Sequence, residues 1–261
     1  MTIVRHELRQ GKISLLIWTI SIAFLMAVCV FLFPEMKGEM DELSDTFSSM
    51  GAFSTAFGMD RLNFGSLIGF YSIECGNILG LGGALFASLC AVNVLSKEEK
   101  DRTAEYLLTH PVSRFRIITE KLISVIIQVV ILNVVVYGVA LLSIQLSGEE
   151  IPWKEINLIH LSFFILQIEL VGICFGISAF IRKGSIGIGL GLAMVMYFLN
   201  IIANISESAK FLKYITPFGY CEGADIITDG HLDMTLVTIG CIIGIIGVII
   251  GYIKYLKKDI H

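Results

Sequence analysis

Two acidic residues, Glu74 and Glu169, stand within long apolar stretches of the sequence. An ionised carboxylate at the centre of a bilayer costs roughly 2.5–3.5 kcal/mol, so each should face protein or water, or carry a proton. Such groups, together with the amides of Asn77, Asn200 and Asn204, can bind a polar part of a transported molecule. The five residues are therefore candidates for a substrate pathway. For each, the alternative is a structural hydrogen bond between helices.

The residues that other kinds of chemistry require are missing from the sequence. No Gly-x-x-x-x-Gly-Lys-Ser/Thr phosphate-binding loop occurs, so the chain should not hydrolyse nucleotide by itself. No Ser/His, paired-Asp or metal-ligand constellation is present, and the cysteines are not spaced as metal ligands. We therefore expect no catalytic residue, no metal site and no cofactor in this chain, and no nucleic-acid partner.

A dense charged segment from Lys97 to Arg114 interrupts the apolar sequence. Opposite charges three and four residues apart favour a short exposed helix in its first half. Pro111 disfavours the helical conformation at His110, so this helix should end near Thr109. The tip of the helix, Tyr106-Leu107-Leu108, is apolar and favours docking into a partner protein. The alternative is a solvated connector whose positive charge reflects only its side of the membrane.

The elements that must position these residues are long apolar helices. The hydrophobic fraction is 55% and the charged fraction 16%, which is less polar surface than a soluble domain of 261 residues needs. The apolar runs are continuous and reach the roughly 20 residues that a helix needs to cross a bilayer. The sequence predicts an all-α integral membrane protein in which residues 1–261 form a single transmembrane domain. Its six spans are 14–33, 66–95, 121–146, 158–181, 185–205 and 235–256.

The distribution of positive charge predicts the orientation of these spans. If the N-terminus is inside, only five of the 19 Lys and Arg residues fall in outer segments: Lys37, Arg61, Lys154, Lys210 and Lys213. Lys and Arg concentrate in cytoplasmic loops, so both termini and the charged segment should be cytoplasmic. We expect a multi-pass protein of the cell membrane, in a bacterial plasma membrane.

Three further patterns concern the packing of the chain. Residues 3–10 predict a short helix on the inner surface before the first span. Residues 206–234, which mix aromatic residues and lysines with a proline, predict an outer or re-entrant segment between the fifth and sixth spans. Glycines four residues apart, as in Gly172/Gly176 and Gly240/Gly244, allow close approach of helices, either within the chain or between chains.

The charged segment resembles a known sequence pattern. The string Glu99-x-x-Arg102-Thr103-x-Glu105-x-Leu107-Leu108-x-x-Pro111-Val112-Ser113-Arg114, followed by Lys121, is similar to the first inner loop of ABC-2 type transporter permeases. The Glu7-Leu8 lead-in to the first span, Thr216-Pro217-Phe218 before the sixth, and six spans with both ends inside also resemble that family. The resemblance covers essentially the whole chain, with Arg102 standing where many members have glycine.

The resemblance implies a permease of the ABC-2 exporter type, with a cytoplasmic coupling helix between the second and third spans. That helix would rest in a cleft of a separate ABC ATPase. The residues implied in this contact, or in the turn that follows it, are Glu98, Glu99, Arg102, Thr103, Glu105, Tyr106, Leu107, Leu108, Pro111 and Arg114. The cargo would be hydrophobic or amphipathic, such as a peptide, toxin, antibiotic or drug.

The resemblance also implies the assembly. Two permease halves would work with two copies of the ATPase subunit, and the ATPase would bind ATP and Mg²⁺. In the family, the first and fifth spans meet their counterparts across a two-fold axis. Gly187 and Gly191 suit the fifth span to such a close approach, in a homodimer or with a similar permease.

Two other functions compete with this interpretation. An ion-gradient-driven secondary transporter or channel would use Glu74 and Glu169, but the halves show no inverted repeat and the apolar tip of the charged segment would have no use. An intramembrane enzyme would need a catalytic constellation that the sequence lacks.

Overall fold

The computed structural model describes residues 2–48, 50–97, 112–181 and 185–257, in which the regular secondary structure is helical and is joined by turns and short loops. Two 3₁₀-helices, Glu207–Tyr214 and Pro217–Tyr220, accompany the α-helices. The α-helices are α1 (Thr2–Ser48), α2 (Ala52–Phe57), α3 (Leu67–Val92), α4 (Arg114–Leu146), α5 (Trp153–Ser178), α6 (Ile186–Ile205), α7 (Gly223–Asp229) and α8 (Met234–Leu256).

Within the described ranges, six helices are long and apolar enough to cross a membrane: α1, α3, α4, α5, α6 and α8. Each overlaps one of the six predicted spans, so the prediction of an all-α protein with six transmembrane helices is confirmed.

Helix α1 differs most from the prediction. It has 47 residues, and the predicted first span, 14–33, is only its middle part. The separate surface helix predicted at 3–10 is wrong, because these residues form the beginning of α1. The helix also continues through Pro34, beyond the predicted end of the first span. A proline removes only its own N–H, and transmembrane helices tolerate that loss.

Helix α4 begins seven residues before the predicted third span. Ser113 supplies the cap: its hydroxyl accepts the Arg116 backbone N–H at 3.3 Å, which satisfies one of the unpaired donors of the first turn. As a result, Lys121 lies inside α4 instead of at its start, and its side chain is fully buried.

Helices α3 and α5 form the centre of the bundle. In their most apolar stretches 61% and 67% of the residues are buried, against 28% for α1 and 22% for each of α6 and α8. α3 packs against α1, α5 and α6, while α1 also packs against α4, and α5 against α8. The outer faces of α1, α6 and α8 are therefore open to lipid or to another chain.

The bundle has two distinct ends. α1, α4 and α6 begin, and α3, α5 and α8 end, at what we call the N-terminal side. There the Thr119 hydroxyl of α4 and the Tyr252 hydroxyl near the end of α8 lie 2.8 Å apart. The opposite side carries α2, α7 and both 3₁₀-helices.

Glycines bring α5 and α8 into backbone contact. A Cβ atom added at Gly176 would lie 2.5 Å from the carbonyl oxygen of Gly247, and one added at Gly172 would overlap the backbone of Gly244. Any larger residue at these positions would push the helices apart. This set of glycines therefore serves packing within the chain, one of the two uses that the spacing allowed.

The chain between α6 and α8 folds against the bundle on the opposite side. Residues 217–221 are buried, and the second 3₁₀-helix contacts α5, α6 and α8. The Thr216 hydroxyl starts this helix by accepting the Phe218 backbone N–H at 3.3 Å, and it donates to the Met196 carbonyl of α6 at 2.7 Å. The segment predicted to be outer or re-entrant thus has its middle part inside the protein.

Candidate functional site

Most residues implied in ATPase coupling lie outside the described residues. These are Glu98, Glu99, Arg102, Thr103, Glu105, Tyr106, Leu107, Leu108 and Pro111. The tenth, Arg114, is the first residue of α4. The structure describes the two ends of the charged segment, Lys97 and residues 112–114, and both lie on the N-terminal side.

A carboxylate of α1 links the start of the charged segment to α4. Glu7 Oε2 lies 3.4 Å from Lys97 Nζ, and Glu7 Oε1 accepts a hydrogen bond from Lys121 Nζ at 3.0 Å. Lys121 Nζ also donates to the Val94 carbonyl oxygen at 2.8 Å, and Lys97 also donates to Gln10. We call Glu7, Lys97 and Lys121 the Glu7 network. It connects the first residue of the charged segment with the second turn of α4.

A second carboxylate fixes the start of α1 on α4. Glu120 Oε2 accepts the backbone N–H groups of Ile3 at 3.0 Å and Val4 at 3.3 Å, and Glu120 Oε1 accepts from Arg116 Nε at 2.8 Å. The first N–H groups of a helix have no partner within the helix, and a negative charge is favourable at that end. Together with the Glu7 network, Glu120 holds α1, α4 and the end of α3 as one unit beside the charged segment.

The two acidic candidates for a substrate pathway lie apart from each other. Glu169 is 3% exposed and packs against α8, where a Cβ atom at Gly240 would collide with its carboxylate. The Tyr220 hydroxyl and the Cys241 thiol lie near this carboxylate without a hydrogen bond of normal geometry. Glu74 is half-buried on α3, near Cys29 of α1. The structure therefore does not bring the two carboxylates into one site.

The three asparagine candidates do lie together, on the opposite side of the bundle. A cavity of about 50 Å³ lies between α3, α5, α6 and the second 3₁₀-helix, and we call it the α3–α6 cavity. Asn77 and Asn200 line it, and Asn77 Oδ1 accepts a hydrogen bond from the Tyr197 hydroxyl at 3.0 Å. Asn204 Nδ2 donates at 2.7 Å to Glu222, whose carboxylate also lines the cavity.

The acidic residues beside this cavity differ in their electrostatics. Glu222 is 9% exposed, and burial raises its pKa, although the bond from Asn204 and the charge of Lys213 act in the other direction. Burial also acts to raise the pKa of Asp225, but contacts with Arg61 at 2.5 Å and Lys213 at 3.3 Å outweigh it and lower that pKa. The two nearby cations therefore bind Asp225, and Glu222 keeps its proton to a higher pH than an ordinary carboxyl.

Binding is the chemistry that this arrangement supports. The polar lining of the α3–α6 cavity offers hydroxyl, amide and carboxylate groups beside aromatic rings. Across the described part of the chain, no three His, Cys, Asp or Glu side chains are grouped so that they could hold a metal ion.

Several polar residues of these buried networks were not identified from the sequence. The Tyr71 hydroxyl is hydrogen-bonded to His160 Nε2 at 2.6 Å between α3 and α5, and the ring of Tyr137 stands edge-on to His160. His160 could have been found, since a histidine inside an apolar helix is itself a signal. Glu222 and Tyr197 could not, because their burial depends on tertiary contacts.

The two glycines predicted at a dimer contact are free of contacts with other helices. A Cβ atom at Gly191 would meet no atom within 4 Å, and one at Gly187 would meet only Ser185 Oγ at 3.8 Å. Both lie on the exposed face of α6. Within the described residues they pack against no other helix, and their contact with a second chain stays a prediction.

Comparison with known proteins identifies the family. The sequence model of a family described as ABC-2 family transporter protein matches residues 1–260. No curated protein matches the sequence. The resemblance noted in the charged segment is thus confirmed at the level of the family.

Proposed function

The chain belongs to the ABC-2 transporter family, and from this premise we propose that it is the permease subunit of an ATP-driven ABC exporter, in which it forms the substrate pathway. The observation that carries the proposal is the family match over residues 1–260, because it includes every membrane-spanning helix and the charged segment. Family membership makes the chain a membrane component of a transporter. Export and coupling to ATP are the steps that we add.

In this proposal the nucleotide chemistry belongs to a separate protein. Two ABC ATPase subunits bind ATP and Mg²⁺, and two permease halves form the channel between them. The absence of a phosphate-binding loop from this sequence supports a separate ATPase. The open face of α6 around Gly187 and Gly191 supports a second permease, either a copy of this chain or a similar one.

The Glu7 network provides the route by which the ATPase would act on the bundle. The charged segment is the proposed docking element, and Glu7 contacts both its first residue, Lys97, and Lys121 of the helix that follows it. A displacement of the segment would therefore reach α1 through Lys97 and α4 through Lys121. The energy of a buried ion pair depends on the distance and angle between its groups, so the Glu7 network favours one relative position of the helices over others.

The proposal also places the N-terminal side in the cytoplasm. Six crossings bring the first and last described helix ends to the same side, and most of the described Lys and Arg residues lie there. The ATPase would then approach from the side on which the Glu7 network lies. The cargo would leave past the α3–α6 cavity, and the apolar and aromatic lining of that cavity suits a hydrophobic or amphipathic molecule.

The test separates docking from folding. The chain is co-expressed with candidate ABC ATPase subunits, beginning with one encoded in a neighbouring reading frame, and the ATPase that co-purifies is measured. Glu105→Lys and Leu107→Ala should each reduce co-purification about 30-fold, since an anchor in a partner pocket contributes about 2 kcal/mol. Their effect on the stability of the permease alone should stay within about 0.5 kcal/mol.

Glu150→Lys is the matched control. It makes the same charge reversal at an exposed residue on the opposite side, so ATPase association should not change. If the variants in the charged segment keep full association and transport, the segment is only a connector. Transport that follows an ion gradient without any ATPase would support the secondary transporter instead.

A further inference from the structure

Two polar side chains that line the α3–α6 cavity, Asn200 and Glu222, are incompletely paired. Asn200 is 8% exposed, and its Oδ1 atom has no hydrogen-bond partner among the described residues. The carboxylate of Glu222 receives one hydrogen bond, from Asn204. Glu222 makes no ion pair within the described residues, because Arg61 and Lys213 both bind Asp225. A buried acceptor without a donor, and a buried carboxylate without a cation, each cost free energy that a bound ligand can recover.

The remaining walls of the cavity are aromatic and apolar. The rings of Phe57, Phe163, Tyr197 and Phe218 line it, and the ring of Phe163 packs against Gly76 and Gly80. Aromatic faces attract cations that carry alkyl groups, and they bury the alkyl part at the same time. A volume of about 50 Å³ exceeds the roughly 10–15 Å³ that one water molecule requires, so a small organic cation has room.

We propose that the α3–α6 cavity binds a primary alkylammonium group, as the head of a cationic amphipathic cargo. The ammonium donates to Asn200 Oδ1 and to Glu222, while its first methylene groups contact the rings. Glu222 supplies the charge, and Asn204 holds its carboxylate in place. This inference rests on the proposed transport function, because it names the class of cargo that would pass this cavity.

The experiment uses the permease alone, purified in a neutral detergent at pH 8. Binding of radiolabelled methylammonium is measured by scintillation proximity, with unlabelled competitors at equal ionic strength. We expect saturable binding that octylammonium displaces and that sodium chloride and methanol do not. Absence of saturable binding would overturn the proposal, and displacement by sodium at the same concentration would assign the cavity to an inorganic cation instead.

Variants assign the binding to the cavity. Glu222→Gln keeps an oxygen for Asn204 but removes the charge, and Asn200→Leu removes the free acceptor at similar volume. Each should weaken methylammonium binding at least tenfold. Glu207→Gln removes an equal charge from the same side, where the Glu207 side chain is 85% exposed, and should leave binding unchanged. An equal loss in this control would show a general surface-charge effect and contradict the site.

The assay contains no ATPase, so its result is independent of the coupling test. If methylammonium does not bind but the ATPase still associates, only the proposed class of cargo is refuted. The proposed permease function is then unaffected. Should one variant fail to fold, the other variant and the competition series on the unaltered protein still decide the question.

Discussion

Replacing Lys121 by methionine measures how strongly the Glu7 network holds the N-terminal side together. The Lys121 side chain has 0% exposure, and its Nζ bonds to Glu7 at 3.0 Å and to the Val94 carbonyl at 2.8 Å. Methionine keeps most of the apolar stem but removes both hydrogen bonds and the charge. Glu7, whose side chain is 9% exposed, would keep only its contact with Lys97 at 3.4 Å.

The expected cost follows from this geometry. Removing one partner of a buried ion pair typically costs about 3–5 kcal/mol, because the other charge stays buried. Lys97 remains as a partial partner for Glu7, so we expect the lower end, about 3 kcal/mol. At about 2–4 °C per kcal/mol, the midpoint of thermal unfolding should fall by about 6–12 °C. Adding Glu7→Gln should restore most of the loss, since replacing a whole buried pair by neutral groups is often close to neutral.

The assay is thermal unfolding in a mild neutral detergent for the unaltered chain, each single variant and the double variant. Lys97→Met is the control, because it makes the same chemical change at another partner of Glu7, one that is 33% exposed. It should cost at most about 1 kcal/mol. The reasoning is refuted if Lys121→Met costs no more than Lys97→Met, or if the losses of the two buried single variants simply add in the double variant.

Three other outcomes are expected. Gly172→Ala should destabilise the protein by about 1–3 kcal/mol and so lower its unfolding midpoint, because the added Cβ overlaps the α8 backbone. Gly138→Ala should not lower the midpoint, because its added Cβ would meet no atom within 4 Å. Glu222→Gln should raise the unfolding midpoint at pH 8 and leave it nearly unchanged at pH 4. Burial raises the pKa of Glu222 above its ordinary value of 4.5. The stability linked to its proton is therefore fully present below pH 4.5 and is lost as the pH rises through the raised pKa. In a chain without native cysteines, Gly191→Cys should cross-link two permeases and buried Ala193→Cys should not; no cross-link at Gly191 would count against a dimer through α6.

The spans could be predicted because their signal is local. Helices α3, α6 and α8 begin and end within about three residues of the predicted positions, since each is a continuous apolar run between polar residues. The length of α1 could not be predicted in this way. The acidic residues after Pro34 resemble a loop, yet they continue the helix, and hydropathy does not report helix that extends beyond the apolar run.

The candidate site could be predicted only in part, for a different reason. The apolar runs show no polar face that would indicate which side meets another helix. Asn77 and Asn200 were identified by type, but only the packing of α3 against α6 shows that they share a cavity. Lys121 was expected at the start of the third span. Its burial follows from the position of Glu7, more than 100 residues earlier in the chain.

The close contact between α1 and α3 lies partway along α1 and divides that helix into two parts. Ile22 packs directly over Gly82 of α3, where an added Cβ would lie 3.1 Å from the Ile22 side chain. About 22 Å of helix separates this contact from Glu7 towards the N-terminus, and about 16 Å separates it from Phe33 in the other direction. Phe33 rests on Phe70, with ring centroids 5.3 Å apart. If α1 rotated about Ile22, its two ends would move in opposite directions, so a pull that draws the helices together near Glu7 would separate them near Phe33.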